Sequence, residues 1–114
     1  RTVSFYNASL RSSISTDAFC GRGIGDRKID TLGGEIASAL ENRVILSETP
    51  FELDGRGALR QRVRGSLDGV EVLVDLVVVR KGGCVFDFYA VTPPEGVAQT
   101  AADFESFFGA FRYE

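Results

Sequence analysis

Methionine and histidine are both missing from this chain of 114 residues. Without histidine it lacks the usual general base near neutral pH and the commonest metal ligand. Without methionine, in a chain opening at Arg1, the expectation is a processed or trimmed product. Any signal peptide or lipid anchor would then lie upstream. Cysteine is scarce: Cys20 and Cys84 are the only two, too few for a tetrahedral thiolate metal site. They fit either free thiols in a reducing compartment or one disulfide in an oxidising one. Long apolar runs are also lacking. The longest, 76–79 and 88–91, fall far short of the ~18 residues of a membrane-spanning helix, so no transmembrane segment is expected. Nor is there excess positive charge. Thirteen Lys and Arg against 16 Asp and Glu give a net charge of −3, which argues against nucleic acid, because phosphate neutralisation needs surplus cations.

What is present suits one soluble domain spanning 1–114, with 44% hydrophobic and 25% charged residues. Asp54-Gly55, Asp68-Gly69 and Gly82-Gly83 recur at equal spacing, with strand-like runs between them. Such dipeptides supply the positive φ angles of tight hairpin turns. The spacing predicts a four-stranded antiparallel meander over 43–53, 57–67, 70–80 and 84–91. Pro50 marks the first of these as an edge strand or the site of a bulge, since proline cannot donate to a ladder. A further strand is expected over 2–9, where Val3 and Phe5 alternate with Ser4 and Tyr6. Residues 11–30, rich in Ser, Gly and charge, read as a loop. Its Gly21, Gly23 and Gly25 fit neither the dinucleotide nor the P-loop spacing, and no GKS or GKT follows them, which favours a flexible loop over a phosphate site. A helix should start at the Thr31 cap, turn Leu32, Ile36, Ala39 and Leu40 to one side, and end near Asn42. A second helix should open at Thr100, with Asp103 completing a capping box. It carries Phe104, Phe107, Phe108 and Phe111 along one stripe. That stripe is expected to lie across the sheet as the main core.

A two-residue turn at Asp68-Gly69 pairs Leu67 with Val70, Val63 with Val74 and Arg62 with Asp75. One face then shows Val63, Leu67, Val70, Val72, Val74, Leu76 and Val78 and should be core. The other carries Arg60, Arg62 and Arg64 against Glu71 and Asp75, a solvated face with weak cross-strand ion pairs. With Arg56 nearby, the same arginines form a candidate interaction surface for an anionic partner. Asp87 sits among apolar neighbours in the last strand. A three-residue turn at 81–83 would set it beside Asp75, and a two-residue turn would bury it on the other face. Asp75, Asp87 and Tyr89 are the candidate polar groups of a small-ligand pocket between sheet and helix.

Several of these stretches resemble a known group: Leu53-Asp54-Gly55-Arg56 with Ala58-Leu59, Leu67-Asp68-Gly69-Val70, Val79-Arg80-Lys81, Cys84-Val85-Phe86-Asp87, and Asp103-Phe104-Glu105 with Phe107. The sequence resembles small bacterial envelope lipoproteins of unknown function in the PsbP-like superfamily. The resemblance implies an α/β/α sandwich, a twisted antiparallel sheet flanked by helices. It also implies export, a lipid anchor upstream, and a Cys20–Cys84 bridge. The superfamily's usual opening hairpin is not evident before the first helix. A cystatin-like or nuclear-transport-factor-like curved sheet is the alternative. The resemblance carries no catalytic residue across, and no nucleophile, base and orienter occur together. The fold class expected is therefore α+β, with four or five strands. The functional expectation is a non-catalytic envelope or secreted module with a protein partner and no cofactor. A small-ligand pocket protein or an enzyme is the rival.

Overall fold

The computed structural model describes residues 2–20 and 40–110. Six strands form one antiparallel sheet: β1 (Thr2–Asn7), β2 (Ser12–Cys20), β3 (Glu41–Leu53), β4 (Arg56–Leu67), β5 (Val70–Lys81) and β6 (Cys84–Thr92). Their order is β1-β2-β6-β5-β4-β3, so an opening hairpin is joined to the meander through the β2–β6 pairing. A 3₁₀ turn (Pro94–Gly96) leads into the one described helix, α1 (Val97–Gly109).

The three meander turns behave as the dipeptides dictate. Leu53 pairs with Arg56, Leu67 with Val70 and Lys81 with Cys84, so each loop has two residues. Both loop residues have positive φ in every case, from 50° at Asp54 and Asp68 to 81° at Gly69. That is the type I′ geometry whose twist matches a right-handed hairpin. Pro50 lies on β3, an outer strand. Counting alternate pairs back from the Asp54-Gly55 turn, its nitrogen points away from β4, where no hydrogen bond is lost.

Three expectations are corrected. Residues 12–20 are a strand, not part of a loop, and they complete the opening hairpin that the sequence did not betray. The hydroxyls of Ser12, Ser13, Ser15 and Thr16 hid it: Ile14 packs on the main cluster, and on the other face Ser15 is buried against Ser4, with their hydroxyls 2.8 Å apart. Thr100 is not a cap. The helix begins a turn earlier, at Val97 after Gly96, and the buried Thr100 hydroxyl donates to that of Thr92 at 3.4 Å. Asn42 adopts φ 53° at an irregularity of β3 between Glu41 and Val44, so its tolerance of the left-handed region serves a bulge. The helix predicted from Thr31, the loop at Gly21 to Gly25, and Phe111 lie outside the described residues.

The aromatic stripe seals the sheet. Phe104 is wholly buried and Phe108 nearly so, in a cluster with Leu53, Ala58, Val77, Val79, Phe88 and Ala90. Phe107 meets Phe5 and Phe88 edge-on, at centroid distances of 5.7 and 6.1 Å. The covered face is the one bearing Arg60, Arg62 and Asp75, which the sequence had given to solvent. The opposite face is buried as well: Val63, Val72 and Val74 pack with Leu40, and Leu76, Val78 and Val85 form a neighbouring cluster. Central β5 is thus buried on both faces. Leu67 and Val70, expected in the core, flank the hairpin tip and are exposed there.

Gly65 is where Leu40 crosses the sheet. A Cβ at Gly65 would lie 2.8 Å from the Leu40 Cβ and 3.1 Å from the Glu41 carbonyl oxygen. Gly65→Ala should therefore destabilise by about 1–3 kcal/mol in a urea titration. Gly57→Ala, with open space around its Cβ, is the control and should change far less.

Candidate functional site

The sequence-nominated arginines do not act as a group. Arg60 lies diagonal to Asp75 across the β4–β5 ladder, yet it takes the carboxylate from both sides. Its Nε donates to Oδ1 at 2.8 Å and an NH2 donates to Oδ2 at 2.6 Å. Arg62, directly opposite Asp75 in the register, keeps only a 3.4 Å contact. Position under α1 decides between them. The Arg60 guanidinium sits 5.3 Å from the Phe108 ring centroid and 5.9 Å from that of Phe104, and its remaining end donates to Glu105 on the helix at 3.0 Å. Forked hydrogen bonds and ring faces both suit a planar cation with water excluded. The hydrogen bond to Asp75 lifts the Arg60 pKa above its already high ordinary value, against the opposing effect of burial. Arg60 is therefore a pin between sheet and helix. Arg64 stays exposed with no ion pair among the described residues, and Arg56 stands apart at the start of β4.

The proposed pocket groups are also separated. Asp75 pairs with Ala90, whereas Asp87 pairs with Val78 and Tyr89 with Leu76. The two-residue turn at Gly82-Gly83 sets this register, so Asp87 and Tyr89 lie on the face away from α1 and cannot join Asp75 around one cavity. Asp87 is buried opposite Asp17 of β2. The Tyr89 hydroxyl has a raised pKa, first because of burial and next because of the negative charge of Asp17. Among the described residues no group of His, Cys, Asp or Glu is arranged to hold a metal ion.

Cys20 and Cys84 are disulfide-bonded. They are direct partners across β2 and β6 with Cα atoms 4.1 Å apart, the close approach of a non-hydrogen-bonded antiparallel pair. The bond clamps the opening hairpin to the meander and closes a loop with a sequence separation of 64. Reduction, or joint Cys20→Ser and Cys84→Ser substitution, should destabilise by about 2–4 kcal/mol. Denaturant midpoints with and without reductant read this directly, and equal midpoints would contradict it.

One surface remains open. Among the described residues, strand β3 has no neighbour beyond β4, and ten of its residues in succession are exposed. Val44, Ile45 and Leu46 show 46%, 57% and 48% of their surface to solvent. On the helix side a groove of about 370 Å³ runs beside this edge, lined by Thr49, Phe51, Arg60, Glu105 and Phe108. A second, of about 450 Å³, adjoins Pro50, Gly57, Leu59 and Arg80, with Arg56 at its rim. Sequence reasoning found the edge through Pro50 but did not single out the exposed apolar triplet. Its signal was slight: Asn42 before it and a second irregularity between Ile45 and Ser47.

This architecture recurs in solved structures. The chain is similar over its whole length to a Pseudomonas aeruginosa protein of unknown function, PA94, described as a putative regulator. The TM-score is 0.81 at 12% identity, covering 83% of that chain. It is similar over 92% of its length to LpqN of Mycobacterium tuberculosis, described as involved in cell envelope biogenesis. There the TM-score is 0.65 at 15% identity, and the match spans 64% of the LpqN chain. Cyanobacterial PsbP (CyanoP) from Synechocystis matches 99% of the chain at a TM-score of 0.52 and 9% identity. The fold is accordingly PsbP-like α+β. No family model and no curated protein matches the sequence.

Proposed function

We propose that this chain is a non-catalytic accessory module that works outside the cytoplasm, at the cell envelope or secreted, by binding another protein. The open β3 edge with its exposed Val44, Ile45 and Leu46 carries the reading. Contiguous apolar surface beside unpaired backbone groups is a liability in a monomer and an asset at an interface. The disulfide supports the compartment, because such bonds persist where conditions are oxidising. The LpqN likeness supports the envelope side of the reading. An upstream lipid anchor fits the same picture.

A tagged full-length precursor tests the compartment. Its Cys20 and Cys84 should resist alkylation until reductant is added, and the chain should fractionate with the envelope or the medium. Cytosolic recovery with freely alkylated thiols would sink it. Photo-crosslinking residues placed over the surface in living cells test the partner. A specific protein adduct is expected. Absence of adducts at every position, together with a small molecule that robustly raises the melting temperature, would favour the ligand-pocket rival.

A further inference from the structure

We infer that β3 is a strand-addition site for an extended peptide segment of a partner protein, one that presents acidic side chains on the helix side and aliphatic ones among them. The inference rests on the accessory-module reading and specifies its surface and partner chemistry.

The backbone supplies the first part. Among the described residues, the N–H and C=O groups of β3 that point away from β4 face no neighbouring strand, and an incoming strand would satisfy them as in other sheet-augmentation complexes. Side chains supply the rest. On the α1 face, Val44 pairs with Arg64 and Ser47 with Arg62. A strand added outside β3 would stand two strand spacings from β4, roughly 10 Å away. Ser47 is small, so Arg62 can extend over it toward that strand, and the exposed Arg64 can do the same past Val44. Arg62 keeps one 3.4 Å contact to Asp75 through its Nε, but that carboxylate is already held in a fork by Arg60, so the far end of the Arg62 guanidinium can turn outward. Two cations thus await acids on the helix-side face of the incoming strand. Further along the same edge, the groove of Thr49, Phe51 and Phe108 suits an aliphatic side chain.

The same features disfavour a second copy of this chain. Antiparallel β3–β3 pairing about a two-fold axis keeps equivalent faces on the same side of the joined sheet. Arg62 and Arg64 of both copies would then crowd one face, and like charges across a seam repel. Both rigid edges would also bring irregularities at Glu41–Val44 and Ile45–Ser47 to the seam, whereas a flexible peptide can follow them.

The test uses the disulfide-intact protein and a fluorescein-labelled peptide of alternating valine and glutamate, with a valine–lysine peptide as control. Saturable binding of the acidic peptide alone is expected. Amide hydrogen exchange should show new protection on β3, and Arg64→Glu should weaken binding on the order of tenfold. Arg64 is exposed, so that variant should keep its melting temperature, and Val44→Glu at the neighbouring exposed position should weaken binding likewise. No binding, equal binding of both peptides, or protection mapping elsewhere would overturn the inference. So would concentration-dependent dimerisation that protects β3. In cells, a crosslinked partner at Val44 is expected. An adduct at Tyr6 on the opposite edge and none at Val44 would overturn this inference while leaving the accessory-module reading standing.

Discussion

Phe104→Ala should remove about 3–5 kcal/mol of stability, the range for deleting a buried phenylalanine side chain. Phe104 is wholly enclosed between α1 and the sheet, touching the cluster of Ala58, Val77, Val79 and Phe88. It also stacks edge-on with Phe108 at 5.0 Å and faces the Arg60 guanidinium. Truncation therefore leaves a cavity and loosens the packing around the partly buried Arg60 cation. A domain of this kind has a total stability of roughly 5–15 kcal/mol, so the variant should unfold at a much lower urea concentration. Phe107→Ala, at a partly buried position on the same helix, should lose less. A Phe104→Ala midpoint close to that of the parent would mean that α1 does not seal the sheet.

Asp75→Ala should also be damaging, about 2–3 kcal/mol, because it strips the largely shielded Arg60 guanidinium, whose side chain is 17% exposed, of its main partner. Asp75 is almost fully enclosed, and both of its oxygens are engaged by Arg60. Glu105, half exposed, cannot replace it. The informative comparison is the double variant Arg60→Leu with Asp75→Leu. Removing both charges should recover most of the loss, since an apolar pair avoids the desolvation that the ion pair must offset. If the double variant were as unstable as the sum of the single losses, the two residues would not be coupled. Arg60→Leu should also free the tip of α1 from its Glu105 contact, visible as faster amide exchange in the last helical turn.

Much of the ladder was legible in the residues. Asp-Gly and Gly-Gly dipeptides restrict the turn to conformations with positive φ, so the pairing Arg62–Asp75 followed from one turn by counting. Pro50 pointed to an outer strand or a bulge because its missing N–H cannot sit inside a ladder, and the strand order decides for the outer strand. The phenylalanine spacing announced a helix with one greasy side. The opening hairpin was not legible, because β2 is Ser- and Thr-rich and alternates weakly where one side of it is shielded by hydroxyl pairing rather than by apolar bulk. The face assignment of the charged residues also failed. Arginines and an aspartate on alternate positions look solvated whenever the covering element lies far along the chain.

The candidate site shows the same division. Cys20 and Cys84 were correctly joined through the family resemblance, and the structure explains the join as direct partnership across two strands. The sequence left open whether Asp87 lies beside Asp75 or on the other face, and the two-residue turn at Gly82-Gly83 puts the two on opposite faces. The sequence set Val44, Ile45 and Leu46 in the first meander strand without showing what they meet, and only the strand order places them at an open margin.

Local chemistry alone settled where this chain bends, which stretches extend and that its closing segment coils, because backbone φ limits and side-chain periodicity act over a few neighbours. Which face each side chain meets, which arginine holds Asp75, and which strand is left without a neighbour were decided only when distant segments came together. Those outcomes depend on water being excluded by residues far away in sequence, and no local pattern records that.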